Sequence, residues 1–161
     1  MQVRRARPDE IEAVIAVLAD AAAWLRARAV EQWLDRFPTE WVLPAIEAGE
    51  TWLAELDGQI VGTLVVQWDD PLFWAGYPPD AGYLHRLAVR RHGADLGGRL
   101  LRWAERHASG AGKLCLRLDC VASNESLRAY YERAGYEYVG DVTVDAYVQS
   151  RYEKHVGDVI P

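Results

Sequence analysis

The spacing of apolar residues divides the N-terminal half of the chain into helices followed by a hairpin. A short strand is predicted over Gln2 to Arg7. A helix that begins at Pro8 is predicted by apolar residues at helical spacing, namely Ile11, Val14, Ile15 and Leu18. The same pattern predicts a second helix around Ala21 to Leu34, a short third helix that ends near Ala48, and strands over Thr51 to Leu56 and Ile60 to Gln67. The Asp57-Gly58 pair between these strands is a strong hairpin signal.

In the C-terminal half, apolar strands alternate with amphipathic helices. The predicted elements are a strand over Leu84 to Val89, a helix over Leu96 to Ser109, a strand over Leu114 to Val121, a helix over Asn124 to Ala134, and strands over Tyr136 to Val142 and Arg151 to Val156. A helix that joins two strands makes at least one strand pair parallel. We therefore expect one α/β (α+β) domain over residues 1–161, with a mixed, twisted sheet of about six to seven strands flanked by helices.

Charge and cysteine placement narrow the functional classes. The net charge of −6 disfavours nucleic acid as a partner, because phosphate binding needs a basic surface. No apolar run approaches membrane-spanning length, and no export segment follows the N-terminus, so we expect a cytoplasmic protein with no membrane partner. Cys115 and Cys120 fall on opposite faces of one predicted strand and cannot pair while that strand is regular.

Two neighbouring segments have the features of a ligand-binding strand and turn. Where parallel strands separate, backbone groups become free to pair with an extended amide ligand, and Leu87-Ala88-Val89 is the place to look for this. The turn that follows contains small residues and opens a helix, whose first N–H groups attract phosphate. Its residues are His92, Gly93, Ala94, Asp95, Leu96, Gly97 and Gly98. An ordinary βα turn is the alternative.

The helix after Cys120 carries two further candidates. Asn124 stands at its start, and Tyr131 lies two helical turns later on the same face, so both side chains can reach one ligand. Each residue also has a structural explanation: Asn124 as a helix cap, and Tyr131 as a buried aromatic.

The segment from Tyr83 to Tyr136 resembles the core of the GNAT-type N-acetyltransferases. Leu87-Ala88-Val89, the Gly-rich turn and Leu100-Leu101 resemble that family's acetyl-CoA signature, and the Asn124 to Tyr136 segment resembles its second signature closely. The resemblance implies that the backbone of Leu87 to Val89 binds pantetheine and that the amides from Gly93 to Gly98 hold the pyrophosphate. It further implies that Asn124 bonds the pantetheine arm and that Tyr131 protonates the departing thiolate.

The turn departs from the family pattern. His92 replaces the usual Arg or Gln, Asp95 replaces a glycine, and the turn is about two residues shorter than is usual. A carboxylate among amides that hold pyrophosphate is electrostatically unfavourable, so replacing Asp95 with glycine is expected to tighten acetyl-CoA binding.

Only a few residues are candidates for the general base and for the acceptor pocket. His85 lies four residues before Val89, where many family members carry a Glu, and histidine suits base catalysis. The alternatives are that His85 is a wall residue, or that a water chain from Asp119 or from backbone carbonyls relays the proton. Trp74 and Tyr77 are expected to line the acceptor pocket, and Asp69 or Asp70 to pair with the acceptor's charge. No spacing of His, Cys or Asp predicts a metal site.

These observations predict direct acetyl transfer from acetyl-CoA to a primary amine in a ternary complex, with a small molecule favoured over a protein as acceptor. Cys120 is the candidate nucleophile of a route through an acetylated enzyme. A non-catalytic acyl-CoA-binding or sensor protein of the same fold is the competing class. A homodimer through the last strands remains open.

Overall fold

The computed structural model describes residues 1–29, 33–90 and 95–157. The strands are β1 (Gln2–Arg5), β2 (Thr51–Leu56), β3 (Gln59–Gln67), β4 (Ala81–Val89), β5 (Cys115–Val121), β6 (Glu137–Val144) and β7 (Tyr147–His155). The α-helices of the described residues are α1 (Ile11–Arg26), after a 3₁₀ turn at Pro8–Glu10, α2 (Thr39–Glu47), α3 (Leu96–Gly110) and α4 (Glu125–Arg133). The strands form one seven-stranded sheet in the order β1-β2-β3-β4-β5-β7-β6. Because β4 and β5 run parallel and β5 and β7 antiparallel, the sheet is mixed, which confirms the predicted fold class.

The first of two compact units comprises Met1–Val66 and Arg86–Leu101. Its core is formed by the apolar face of α1 with residues of α2, β2 and β4: Val14, Ile15, Val17, Leu18, Ala21, Val42, Ile46, Leu53 and Ala88. The prediction of a separate helix from Ala21 was wrong, since α1 continues to Arg26. The alanine-rich stretch that follows Leu18 contains good helix formers and no breaker.

Two local backbone features of this unit follow directly from its sequence. Asp57 and Gly58 adopt φ values of 52° and 75°, which is the left-handed pair that a tight two-residue hairpin requires. Gly62 on β3 lies against α3 and β4, because an added Cβ would come within 2.7 Å of Leu100 Cδ1 and 3.1 Å of the Ala88 carbonyl oxygen. Glycine at this position therefore allows the helix to approach the strand closely.

The second unit comprises Gln67–His85 and Arg102–Pro161. β5 pairs along its whole length with β7, and β7 pairs with β6 through a tight hairpin at Asp145, where φ is 54°. Residues 143 to 150, which the sequence left between two strands, belong mostly to these strands. Their turn has no glycine, so it lacks the usual hairpin signal. No helix within the described parts of the chain is both long and apolar enough to cross a membrane.

Candidate active site

The parallel pairing of β4 and β5 is short. The register joins Ala81 to Cys115, Gly82 to Leu116 and Tyr83 to Arg117, while β4 continues to Val89 and β5 to Val121. The two strands therefore stop pairing after Tyr83, earlier than the Leu87 to Val89 segment that the sequence indicated. In β4, Arg86 adopts a φ of 52°, a strained conformation for a residue with a side chain.

Three ionisable side chains of the second unit meet just beyond the last pair of the β4–β5 ladder. One ligand atom each from Asp70, His85 and Asp119 lies within 4.8 Å of the others. His85 Nε2 is 3.1 Å from Asp70 Oδ2, and the Asp70 side chain is only 6% exposed. The Phe73 N–H donates to Asp70 Oδ1 at 3.1 Å, which fixes the direction of the carboxylate. The structure thus gives His85 a specific charged neighbour, as a catalytic base requires.

Asp119 is the electrostatically unusual member of this cluster. Its Oδ2 is buried and has no hydrogen-bond partner, as is also true of Asp70 Oδ2, and the clearly shifted pKa is what sets Asp119 apart. Burial raises the pKa of Asp119 to about 6, with a further rise from Asp70 and opposition from His85 and Arg151. A carboxyl group that changes charge near neutral pH can take part in proton transfer.

The sequence did not predict this cluster as a unit. The sequence indicates Asp70 only as an alternative to Asp69 for binding the acceptor's charge, and Asp119 only as the start of a water chain. The three residues come from a loop, from β4 and from β5, so no local spacing joins them. Among the described residues they form the group of His and carboxylate ligands that could hold a metal ion, which a search for local motifs misses.

Helix α4 follows Asn124 and contains Tyr131, and both side chains have the structural roles that the sequence left as alternatives. Asn124 Oδ1 accepts a hydrogen bond from the Leu127 N–H at 3.2 Å, so the side chain caps the helix. Tyr131 is buried, with the rings of Tyr136 and Tyr152 at centroid distances of 5.9 and 6.2 Å. Burial raises the pKa of the Tyr131 phenol well above its ordinary value, and the charge of Asp119 contributes to the shift. The hydroxyl therefore keeps its proton at neutral pH.

Cys120 is poorly suited to act as a nucleophile. Its side chain is buried, and burial raises the pKa of the thiol to about 12, with a further rise from Asp119. A nucleophilic cysteine needs an accessible thiolate, and this environment suppresses it at neutral pH. The geometry therefore disfavours a route through an acetylated Cys120.

The described coenzyme-binding residues predicted from the sequence belong to both units: Asn124 and Tyr131 to the second, and those of β4 and the start of α3 to the first. Leu87, Ala88 and Val89 form the end of β4. Asp95 precedes α3 with a φ of 56°, and its carbonyl accepts from the Arg99 N–H at 3.0 Å. Its carboxylate covers Gly98, because a Cβ added to Gly98 would collide with Asp95 Oδ1.

The structure describes only part of the predicted coenzyme turn from His92 to Gly98. Leu96, Gly97 and Gly98 form the first residues of α3, and Leu96 is buried. His92, Gly93 and Ala94 lie outside the residues that the structure describes. At the described start of α3, a carboxylate therefore lies where a pyrophosphate was predicted.

The three predicted acceptor residues have different surroundings. Trp74 is 3% exposed and belongs to a small core with Ala81 and Tyr83. Tyr77 packs edge-on against Trp74 at 4.9 Å and donates its hydroxyl to the Val139 carbonyl at 3.3 Å. Asp69 is exposed. Trp74 and Tyr77 thus have structural roles, and their contact with an acceptor stays a prediction.

Comparison with known proteins gives consistent matches. Residues 18–136 match the model of the acetyltransferase (GNAT) family. The chain is 32% identical over 158 residues to the uncharacterized N-acetyltransferase YesJ of Bacillus subtilis (strain 168), covering 92% of this chain and 86% of that protein.

Solved structures show the same similarity. A GNAT-family acetyltransferase from Listeria monocytogenes 4b F2365 superposes with a TM-score of 0.80 at 29% identity, over 96% of this chain and 94% of that one. The yncA protein of Salmonella typhimurium, solved with its cofactor acetyl-CoA, is 17% identical and superposes with a TM-score of 0.70, over 100% of this chain and 96% of that one. The second likeness concerns the fold alone.

Proposed function

The chain belongs to the GNAT family of acetyltransferases, and we propose that it transfers the acetyl group of acetyl-CoA directly to the primary amine of a small molecule. The observation that carries the proposal is the end of the β4–β5 ladder, where His85 and its carboxylate neighbours meet. The buried Tyr131 hydroxyl belongs to the same unit and is influenced by the charge of Asp119. A proton acceptor and a proton donor are therefore both available for one reaction.

The proposed reaction needs two proton transfers. His85 removes a proton from the acceptor's ammonium group, and the freed lone pair forms the C–N bond to the acetyl carbon. The C–S bond then breaks, and Tyr131 gives its proton to the sulfur, so that coenzyme A leaves as a thiol. The nitrogen releases its remaining extra proton through solvent, which restores the phenol. One ammonium and one thioester thus become one amide, one thiol and one free proton.

The remaining chain binds and orients the two substrates in this proposal. The backbone of Leu87, Ala88 and Val89 pairs with pantetheine and orients the acetyl carbonyl, whose developing charge an amide N–H stabilises. Asn124 contacts the same arm, and the turn from His92 to Gly98 faces the pyrophosphate.

The acceptor side of the proposal involves the loop before β4. Trp74 and Tyr77 support the wall of the acceptor pocket, and Asp69 attracts a positive charge. Both cysteines are free thiols, which fits the reducing cytoplasm that we propose as the location.

The experiment that tests the function is acetyl-CoA turnover against a panel of small amines, detected as free thiol. Tyr131→Phe removes only the hydroxyl, so kcat is expected to fall about 10²- to 10⁴-fold with acetyl-CoA affinity unchanged. Tyr147→Phe is the matched control, since Tyr147 is 64% exposed. Full turnover by Tyr131→Phe would exclude Tyr131 as the proton donor.

The competing function is acyl-CoA binding without catalysis, by a protein of the same fold whose coenzyme turn is altered by the carboxylate of Asp95 at the start of α3. Saturable acetyl-CoA stabilisation in thermal unfolding, without turnover of any amine, would support it. If acetyl-CoA gives no stabilisation, both functions are rejected.

A further inference from the structure

Two carboxylate oxygens of the second unit, Asp70 Oδ2 and Asp119 Oδ2, are buried without a hydrogen-bond partner among the described residues. Both residues belong to the cluster that contains His85. We propose that Asp70, His85 and Asp119 bind one divalent transition-metal cation, of the kind that Zn²⁺ and Co²⁺ represent. The site is independent of the proposed function. Its effect on turnover rests on that function, because the ion and the reaction both use a lone pair of His85.

Asp70 presents an oxygen that is fixed in place and lacks a partner. Its side chain is 6% exposed, and its Oδ1 accepts the Phe73 N–H at 3.1 Å. Oδ2 lies 3.1 Å from His85 Nε2, yet it forms no hydrogen bond. A buried carboxylate oxygen without a partner is energetically costly. A cation that accepts lone pairs from both atoms removes that cost.

The short separation of these two atoms distinguishes a metal ion from an ammonium group. Ligands about 2.1 Å from a Zn²⁺-like ion, at angles of about 90–110°, are about 3.0–3.4 Å from each other. The 3.1 Å between His85 Nε2 and Asp70 Oδ2 falls in this range. Two acceptors of one ammonium group lie about 2.8 Å from its nitrogen and therefore about 4.6 Å apart. The observed distance thus favours a metal ion over the ammonium group of an acceptor.

Asp119 completes a set of three ligands. One ligand atom from each residue lies within 4.8 Å of the others, whereas two ligands on opposite sides of such an ion are about 4.2 Å apart. A shift of less than about 1 Å therefore closes the three side chains around one ion. No hydrogen bond to Asp119 Oδ2 from the described residues opposes that shift. Three protein ligands leave a further coordination position for water.

The charges and ligand types of the cluster indicate which cation fits. Two carboxylates close together repel each other, and one divalent cation neutralises both. Arg151, which is paired with Asp119 in the β5–β7 register, directs its N–H groups to the carbonyls of Gly140 and Phe73, at 3.3 Å each. The imidazole nitrogen favours Zn²⁺ and neighbouring transition metals over Mg²⁺ and Ca²⁺, which prefer sets of oxygen ligands.

The bound ion removes His85 from acid–base chemistry. Its bond to Nε2 uses the lone pair of that nitrogen, and the other ring nitrogen then carries the proton. An imidazole in this state cannot take a proton from an amine. If His85 is the base of the proposed reaction, the cation is therefore an inhibitor.

Calorimetry of protein that has been treated with EDTA and then dialysed tests the site without an amine or acetyl-CoA. The wild type is expected to bind one Zn²⁺ per chain and to be stabilised by it in thermal unfolding. Asp70→Asn, Asp119→Asn and His85→Gln each remove one ligand and should weaken Zn²⁺ binding at least about tenfold. His155→Gln is the matched control, because His155 is an exposed histidine at the end of β7. Its loss should leave the affinity unchanged.

Absorption spectra with Co²⁺ report the ligands directly. The wild type should give visible bands that His85→Gln alters and that excess Mg²⁺ does not remove. Failure of the wild type to bind Zn²⁺ saturably overturns the proposal. Equal binding by the wild type and all three cluster variants also overturns it, since that result indicates an adventitious ion only.

Turnover of the amine panel by metal-free and Zn²⁺-loaded protein separates the site from the proposed function. Slower turnover after loading, restored by EDTA, is expected when His85 is the base. Undiminished turnover by the loaded protein rejects His85 as the base, while the metal site stands. Absence of turnover in both forms rejects the proposed function and equally leaves the site to the binding measurements.

Discussion

Two buried charged clusters in the second unit differ in how well their polar atoms are paired. Arg117 and Asp119 lie two residues apart on β5, so their side chains leave the same face of the strand. The Arg117 side chain is 3% exposed and donates to Glu153 at 2.6 Å, the Pro78 carbonyl at 2.7 Å, Tyr83 Oη at 2.9 Å and Asp80 at 3.2 Å. Asp119, in contrast, has a buried oxygen without any partner.

The difference separates a structural cluster from a reactive one. Arg117 also lies over the rings of Trp74 and Tyr77, at 5.4 and 5.2 Å, and thereby fastens the loop before β4 to β5. Four of the five N–H groups of Arg117 are thus bonded within the protein, which leaves little for a substrate. An incompletely bonded carboxylate with a pKa of about 6 has both a cost in the resting state and a capacity for proton transfer.

The largest expected effect on stability is in the Arg117 cluster. Arg117→Met keeps much of the apolar stem but leaves Glu153 and Asp80 without their partner. Breaking a buried ion pair on one side costs about 3–5 kcal/mol, which urea unfolding at pH 7 will measure. Arg106→Met is the control, since Arg106 is exposed and its loss should cost less than about 0.5 kcal/mol. A cost below about 1 kcal/mol for Arg117→Met would remove the distinction between the two clusters.

Asp119→Asn is expected to raise the free energy of unfolding, whereas Arg117→Met lowers it. The pKa of Asp119 is about 6 in the folded protein against an ordinary 3.8, so the folded state binds more protons between these pH values. The contribution of Asp119 to wild-type stability therefore falls as the pH rises through this window, by up to about 3 kcal/mol, and stays lower above pH 6. Asp119→Asn lacks this penalty and should gain about 1–3 kcal/mol relative to the wild type between pH 4 and pH 8.

Urea unfolding at both pH values gives that difference. Asp145→Asn serves as the control, because Asp145 is an exposed turn residue with a φ that asparagine accepts. Greater stability together with slower turnover would identify Asp119 as a residue whose charge serves chemistry at the expense of stability. An equal effect of the substitution at pH 4 and pH 8 would contradict the electrostatic cost.

Local features were predictable from the sequence, while the cluster was not. The Asp57-Gly58 turn and the Asn124 cap each depend on a few adjacent residues, and both are observed. Gly135 ends α4 with a φ of 94°, which is again a local requirement. These elements follow from backbone geometry and need no knowledge of distant contacts.

The side-chain contacts that could not be predicted from the sequence depend on pairing between distant segments. Asp70 acquires its role only because the loop places it beside His85 of β4, and Asp119 because β5 pairs with β4 up to Tyr83. Trp74 was expected at a pocket wall but is buried against Tyr83, since nothing in a loop sequence reveals which aromatic ring folds inward. Side-chain placement across strands is decided by tertiary packing, which periodicity does not encode.

The smallest expected effect concerns Asp95. Its carboxylate lies against the first residues of α3, whereas the carboxylates of Glu153 and Asp80 pair with a cationic side chain. Asp95→Gly removes the charge that covers Gly98, and glycine accepts the φ of 56° without strain. An anion near a helix start contributes about 0.3–1 kcal/mol, so acetyl-CoA affinity measured by calorimetry should rise about two- to fivefold. Asp95→Asn keeps the shape, a side-chain acceptor and the tolerance of positive φ, so it tests the charge alone. A similar gain in both variants assigns the effect to charge, and a gain only with glycine assigns it to space. Weaker binding by Asp95→Gly would show that the carboxylate organises the coenzyme turn, in which case Asp95 belongs with Arg117 among the structural charges.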